Sequence, residues 1–155
     1  MTDVQRTLLL VKPDGVQRLL VGRVIARFED RGLKLVGLKL VQVDRALAEQ
    51  HYAVHREKPF FGGLVDFITS GPLVAAALEG PNAIAIVRAM NGATRPHEAE
   101  PGSIRGDFAV ETAQNLVHAS DSPETATQEL ALWFKPGELL DYTREIDKWV
   151  LAPAE

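Results

Sequence analysis

Apolar residues fall along the chain in short blocks whose spacing changes repeatedly between that of a strand and that of a helix. Leu8 to Val11, entered from Arg6 and Thr7, form a continuous apolar run closed by Lys12-Pro13-Asp14-Gly15. That pattern predicts a buried strand followed by a turn. Val21, Val24, Ile25 and Phe28 follow the i, i+3, i+4, i+7 spacing of a one-faced helix, and Gly32 is placed to end it. Between Leu33 and Val43 the pairs Leu33/Leu35 and Leu38/Leu40 alternate in phases that clash across Gly37, so a strand with a bulge near Gly37 is expected.

Asp44 is placed to cap a helix carrying Leu47, His51 and Val54. A second helical stretch from Phe60 to Ile68 is weakened by Gly62-Gly63. Pro72 to Leu78 reads as a third strand. Pro81 is expected to start a helix with Ile84, Val87 and Met90 on one face, ending at Asn91-Gly92. Residues 93–114 then form a long loop containing Pro96, Pro101, Gly102 and Gly106, and an irregular segment of that length is more often functional than passive. Asn115 to His118 reads as a short fourth strand, Ser122-Pro123-Glu124 opens the last helix, and a C-terminal tail runs from Lys135.

The order β-α-β-α-β-α-β fits either a parallel α/β sheet or an α+β, ferredoxin-like βαββαβ core. Four short strands favour the second: a four-stranded antiparallel sheet with helices on its faces. With 155 residues and no internal repeat or linker, residues 1–155 are expected to form one domain. Hydrophobic residues make up 46% and charged residues 25%, as in globular proteins, which argues against disorder. The absence of cysteine excludes disulfide staples and Cys-ligated metal centres. No apolar run reaches the length of a membrane span, so a cytoplasmic protein without membrane attachment is expected. The formal charge of −4, without a block of like charge, makes nucleic acid an unfavourable main ligand. An anionic ligand must therefore meet a few placed cations.

Chemistry gathers around His118. It ends a predicted strand just before Ala119-Ser120-Asp121-Ser122 and a capped helix, whose N-terminus favours negative charge. Neutral imidazole is a nucleophile near neutral pH, and Glu129 is within reach to orient it. Taken alone, such a histidine is more often structural. Lys12 at a strand end, Arg88 on the third helix and Arg105 in the long loop could together clamp a polyphosphate. The glycine spacings match neither a P-loop nor a dinucleotide-binding motif. His51 and His55 lie four apart on a helix, yet the pair lacks the glutamate of H-E-x-x-H and a third ligand, so a zinc site is rejected. Tyr52 and Phe60 offer faces for a nucleobase, against the alternative of core packing.

These residues sit in six segments that occur in the same order in one known family. They are Lys12-Pro13-Asp14-Gly15-Val16-Gln17-Arg18, Glu57-Lys58-Pro59-Phe60-Phe61, Thr69-Ser70-Gly71-Pro72, Gly92-Ala93-Thr94-Arg95-Pro96, Pro101-Gly102-Ser103-Ile104-Arg105-Gly106-Asp107 and Asn115 to Ser122. The chain resembles the nucleoside diphosphate kinases over almost its whole length. The resemblance implies a ferredoxin-like core and exchange of the terminal phosphate between nucleoside triphosphates and diphosphates, with Mg2+, through phosphorylation of His118 on the ring nitrogen nearest the backbone. It assigns phosphate binding to Lys12, Arg88 and Arg105, contacts with phosphate and sugar to Thr94 and Asn115, the base to Phe60, and support near Lys12 to Tyr52. Ser120 and Glu129 would position His118, and Asp121 would contact the metal.

Broad base specificity follows if recognition is mostly stacking. A homo-oligomer is also implied, hexamer favoured over tetramer by the tail ending in Lys148-Trp149-Val150-Leu151. Two positions depart from the family's usual glycine: Ala119 after the histidine and Leu19 after Gln17-Arg18. A positive φ at Ala119 would cost about 1–2 kcal/mol, and an ordinary negative φ is expected there. The effect of Leu19 should be confined to the entry of the first helix. The competing readings are a fold-retaining regulatory or nucleic-acid-binding relative with impaired catalysis, and a phosphohydrolase in which water takes the phosphate.

Overall fold

Strand β1 (Val4–Val11) occupies an interior position of a four-stranded sheet because its apolar run is buried on both sides: Leu8, Leu9, Leu10 and Val11 are all fully covered. A computed structural model describes residues 3–153. With β2 (Lys34–Val41), β3 (Leu73–Pro81) and β4 (Val117–Ala119), the sheet order is β2-β3-β1-β4, and every pairing is antiparallel. The parallel alternative is thereby excluded in favour of the ferredoxin-like α+β core.

Alternation along β1 divides the core between the two faces, since successive side chains point to opposite sides. Leu9 and Val11 pack with Val24, Ile25 and Phe28 of helix α2 (Val21–Arg31) and with Ala83 and Val87 of α5 (Ala83–Asn91). Leu8 and Leu10 pack on the other face with α3 (Arg45–His51), α4 (Phe61–Ile68) and α7 (Pro123–Trp133), through Ala48, Val65, Ile68, Leu130 and Trp133. The expected caps are present. Asp44 accepts from the Leu47 amide at 2.8 Å, Ser122 accepts from the Thr125 amide at 3.1 Å, and Gly32 ends α2 with φ 101°.

The bulge lies where the clash of phases placed it, between Leu35 and Gly37. Val36 is the extra residue, and its carbonyl accepts from the Leu140 amide at 2.9 Å. The tail thus satisfies the group that a bulge leaves without a ladder partner. The Tyr142 hydroxyl donates to the Leu35 carbonyl alongside.

Four local expectations need correction. Helix α3 stops at His51, so Val54 and His55, expected on the same helix, lie in a separate 3-10 turn, Ala53–His55. The segment Pro13–Gln17 is a short helix, α1, rather than a turn, because Pro13 stands at its first position, where a missing N–H costs nothing. Pro81 ends β3 instead of starting a helix; Asn82, at φ 57°, turns the chain into α5. The loop 93–114 contains helix α6 (Ile104–Phe108) and single 3-10 turns at Pro96–Glu98 and Thr112–Gln114. Its helical part is anchored by Ser103, whose hydroxyl accepts from the Gly106 amide at 3.0 Å. A last short helix, α8 (Asp147–Val150), lies in the tail.

Candidate active site

His118 is the middle residue of β4, paired with Leu10 of β1, so its backbone is held by the sheet. Its Nε2 lies 2.9 Å from Oε2 of Glu129 on α7. The other carboxylate oxygen, Oε1, accepts from the Ser120 hydroxyl at 2.6 Å. Burial alone would raise the Glu129 pKa; the hydrogen bonds from His118 and Ser120 and the charge of His118 outweigh it and hold the group below its ordinary value. An ionised carboxylate at this distance requires a proton on Nε2, which leaves the Nδ1 lone pair free to attack.

Next to this pair stands a cationic group built around Asn115. Lys12 donates through Nζ to Oδ1 of Asn115 at 2.5 Å, and Nδ2 of Asn115 donates to the Thr94 carbonyl at 3.0 Å. Burial, partly offset by Asp14 and reinforced by Arg105, pushes the Lys12 ammonium down to about 8. Leu116, which links Asn115 to β4, sits at φ 74°. Its carbonyl accepts from the Lys12 amide at 2.8 Å and its amide donates to Asp14 Oδ2 at 3.0 Å. Such a strained backbone persists where the surroundings over-determine it. Here it locks the end of β1 to the start of β4 and so fixes Lys12, Asn115 and His118 relative to one another.

Arg105 is buried on α6 and donates to three backbone carbonyls: Asn115 at 3.2 Å, Gly92 at 2.8 Å and Val117 at 2.6 Å. A guanidinium has five N–H donors, so it can brace these segments and still address an anion. Burial, with the nearby charge of Arg88, pushes its pKa down to about 10. Arg88 itself is exposed on α5. Tyr52 is half-buried, its phenol pushed up to about 12 by burial, and Phe60 is 52% exposed with its ring 5.4 Å from that of His55.

A cavity of about 370 Å³ opens beside His118, walled by Tyr52, Val54, Asp121 and Leu132. His118 lines it, whereas Lys12, Arg88 and Arg105 do not. Asp121 is exposed on its wall and makes no hydrogen bond among the described residues. The ring of His51, whose pairing with His55 makes no metal site, stands 4.6 Å from that of His118. Trp133, beyond it, is buried on α7 and belongs to no motif of the sequence.

The sequence model of the family described as nucleoside diphosphate kinase matches residues 5–139. The chain belongs to the nucleoside diphosphate kinase family. A nucleoside diphosphate kinase of Synechococcus elongatus is 60% identical over 147 residues, which are 95% of this chain and 99% of that protein; one from Carboxydothermus hydrogenoformans is 56% identical over the same shares. Among solved structures, a Halobacterium salinarum nucleoside diphosphate kinase in complex with CDP superposes with a TM-score of 0.93 at 47% identity, covering 96% of this chain and 99% of that one. A nucleoside diphosphate kinase family protein of Babesia bovis gives 0.92 at 47% identity, with 94% and 99% covered. The chain is therefore an enzyme of nucleotide phosphate transfer.

Membership of this family makes the two departures informative. Ala119, paired with Leu9 in β4, is not among the non-glycine residues with positive φ; Leu19 is, at 61°. Leu19 follows α1 with its amide donating to Val16 and that of Leu20 to Gly15, both at 3.0 Å. That bond pair is a Schellman motif, in which glycine is the usual residue. The nucleoside diphosphate kinase glycine is thus missed in a turn, away from the chemistry.

Proposed function

We propose that the chain transfers the terminal phosphate of a nucleoside triphosphate to a nucleoside diphosphate by a ping-pong mechanism, with Nδ1 of His118 as carrier. The observation that supports this most is the Glu129 carboxylate at Nε2, which leaves Nδ1 unprotonated and aims the ring. Attack of Nδ1 on the terminal phosphorus breaks the bond to the bridging oxygen, and the diphosphate departs with that oxygen's electrons. A second diphosphate then takes the phosphoryl group back by the reverse displacement, so donor and acceptor share one pocket. Lys12, Arg88 and Arg105 would carry the charge of the phosphates, with Thr94 and Asn115 bonding phosphate and sugar. Phe60, half exposed, would face the base, and Tyr52 would support the site. Contact with the base by stacking alone gives broad base specificity.

Magnesium would arrive on the nucleotide and neutralise phosphate charge. The donors at the site suit an ion that keeps most of its waters: Asp121, a single exposed carboxylate, is the contact available to it. The three groups close enough to share an ion, His51, His118 and Glu129, are nitrogen-rich and already bonded. Residues 1–155 act as one domain in this reading, because both cores share one sheet. We also infer a homo-oligomer, hexamer favoured over tetramer, from the open edge of β2 with Leu38 and Leu40 exposed and from exposed Trp149 in the tail. Among the described residues no helix is long and apolar enough to cross a membrane, and action in the cytoplasm is part of the reading.

The test is to incubate the protein with γ-labelled ATP alone, look for acid-labile phosphate on it, and then add a different diphosphate. Label that passes to the diphosphate supports the kinase. Free phosphate alone would indicate a hydrolase, and no label would indicate a binding protein. Continued labelling of His118→Ala would overturn the carrier.

A further inference from the structure

His51 ends α3 with its side chain 1% exposed, between the catalytic candidate and the core. Its Nδ1 lies 3.1 Å from Nε1 of Trp133. An indole N–H can only donate, so Nδ1 must be the acceptor and the proton of His51 must sit on Nε2. The His51 ring meets Trp133 edge to face, at 5.3 Å and 80°, and meets His118 edge to face, at 4.6 Å and 81°. Edge-to-face contacts have an angular preference, so a ring clamped on one side passes its orientation to the ring on the other. The indole also occupies the lone pair that a metal ion would need, which rules out a His51–His118–Glu129 metal site in this arrangement.

We infer that His51 is a positioning residue for phosphoryl transfer: clamped by Trp133, its ring fixes the plane of the His118 imidazole and leaves Oε2 of Glu129 to His118 alone. The inference rests on the reading of His118 as the phosphate carrier. Nδ1 of His51 is 3.8 Å from the Glu129 oxygen that holds His118. A His51 protonated on Nδ1 would compete for that oxygen; the Nε2–H tautomer cannot, because its Nδ1 has no proton to donate. The groups facing it are His118 from β4, Glu129 and Trp133 from α7, Lys12 at the end of β1, and Tyr52 and His55 beyond its own helix. Burial first, and then His118, hold its pKa down at about 3, with Lys12 and His55 acting in the same direction and Glu129 against them. Burial and the neighbouring cationic groups thus favour the neutral ring.

The experiment uses the full chain labelled with 15N-histidine, with His51→Phe and Trp133→Phe as two independent ways of breaking the clamp. In the wild-type protein the nitrogen shifts should show His51 neutral with its proton on Nε2 from pH 8 to pH 5, and His118 as a single Nε2–H tautomer. A protonated His51 in that range overturns the inference without any variant. In folded Trp133→Phe, where His51 can carry its proton on Nδ1 and reach Glu129, His118 should become a mixture of tautomers, and in either folded variant phosphoenzyme formation from ATP should slow by roughly 10- to 100-fold with KM changed less than about twofold. A wild-type rate in either variant, or an unaltered His118 tautomer in Trp133→Phe, overturns it, because loss of packing alone would leave the tautomer in place. If the wild-type protein itself forms no phosphoenzyme, the proposed carrier fails instead, so the two failures are separate.

Discussion

Glu129 binds His118 and Ser120 with different oxygens, Oε2 at 2.9 Å from the imidazole and Oε1 at 2.6 Å from the hydroxyl. The carboxylate is therefore a fixed strut, since rotating it to serve one partner would abandon the other. Glu129→Ala should slow phosphoenzyme formation by about 100-fold, because the imidazole loses both its tautomer control and its aim. Ser120→Ala removes only the strut's anchor and should cost less, about tenfold, while lowering stability by about 1–3 kcal/mol for the buried groups left unpaired. Phosphorus NMR of trapped phosphoenzyme should place the phosphate on Nδ1; a phosphate on Nε2 would contradict the Glu129 bond.

Arg105 should behave differently from Arg88, although the family resemblance assigns phosphate binding to both. Its three carbonyl partners tie α6 to Gly92, Asn115 and Val117, so Arg105→Lys cannot replace it: one ammonium does not reproduce a planar fork. The expected outcome is a loss of about 2–4 kcal/mol in stability by denaturant titration, with weakened nucleotide binding besides. Arg88→Ala, at an exposed position, should leave the denaturation midpoint unchanged and raise KM for the nucleotide. Equal stability losses for the two would contradict this division.

The outline of the fold was legible because its signals are local. Asp44, Ser122 and Gly32 cap helices through bonds to residues three or four positions away, and the phase clash across Gly37 is a property of one strand. What escaped depends on contacts remote in sequence. The partner of the bulge is Leu140, about a hundred residues from Val36, and buried Arg105 is held by three carbonyls from two other segments. His51 was visible as a residue, but nothing in its neighbourhood announces Trp133, which is 82 positions away. His118 and Lys12 stand out as candidates from their places at predicted strand ends, and Asn115 enters only with the family's segments, whereas the strained Leu116 beside it has no sequence signature.

Leu19 offers a stability test separated from chemistry. It is 86% exposed and holds φ 61°, a conformation that costs a non-glycine residue about 1–2 kcal/mol. Because so little of the side chain is buried, Leu19→Gly forfeits almost no packing and relieves the strain. Part of that gain is offset by the greater freedom of glycine in the unfolded chain. The variant should be more stable by about 0.5–1 kcal/mol, measured by urea unfolding, with unaltered kcat. A less stable variant would mean that Leu19 has a partner in the assembled protein.

Lys12 links nucleotide binding to protons. Its folded pKa of about 8 lies below the ordinary 10.5, so between these values the folded protein has released a proton that the unfolded chain retains. Unfolding there takes up a proton, and the contribution of Lys12 to stability rises with pH across that window. Binding has the opposite sense. A diphosphate beside Nζ favours the charged form and raises the pKa, so ADP binding above pH 8 should take up a proton and weaken as pH rises further. Calorimetry in two buffers of different ionisation enthalpy measures that uptake directly: it should approach one proton near pH 9, be small at pH 6.5, and vanish in Lys12→Met. Uptake that persists in Lys12→Met would assign the proton to another group.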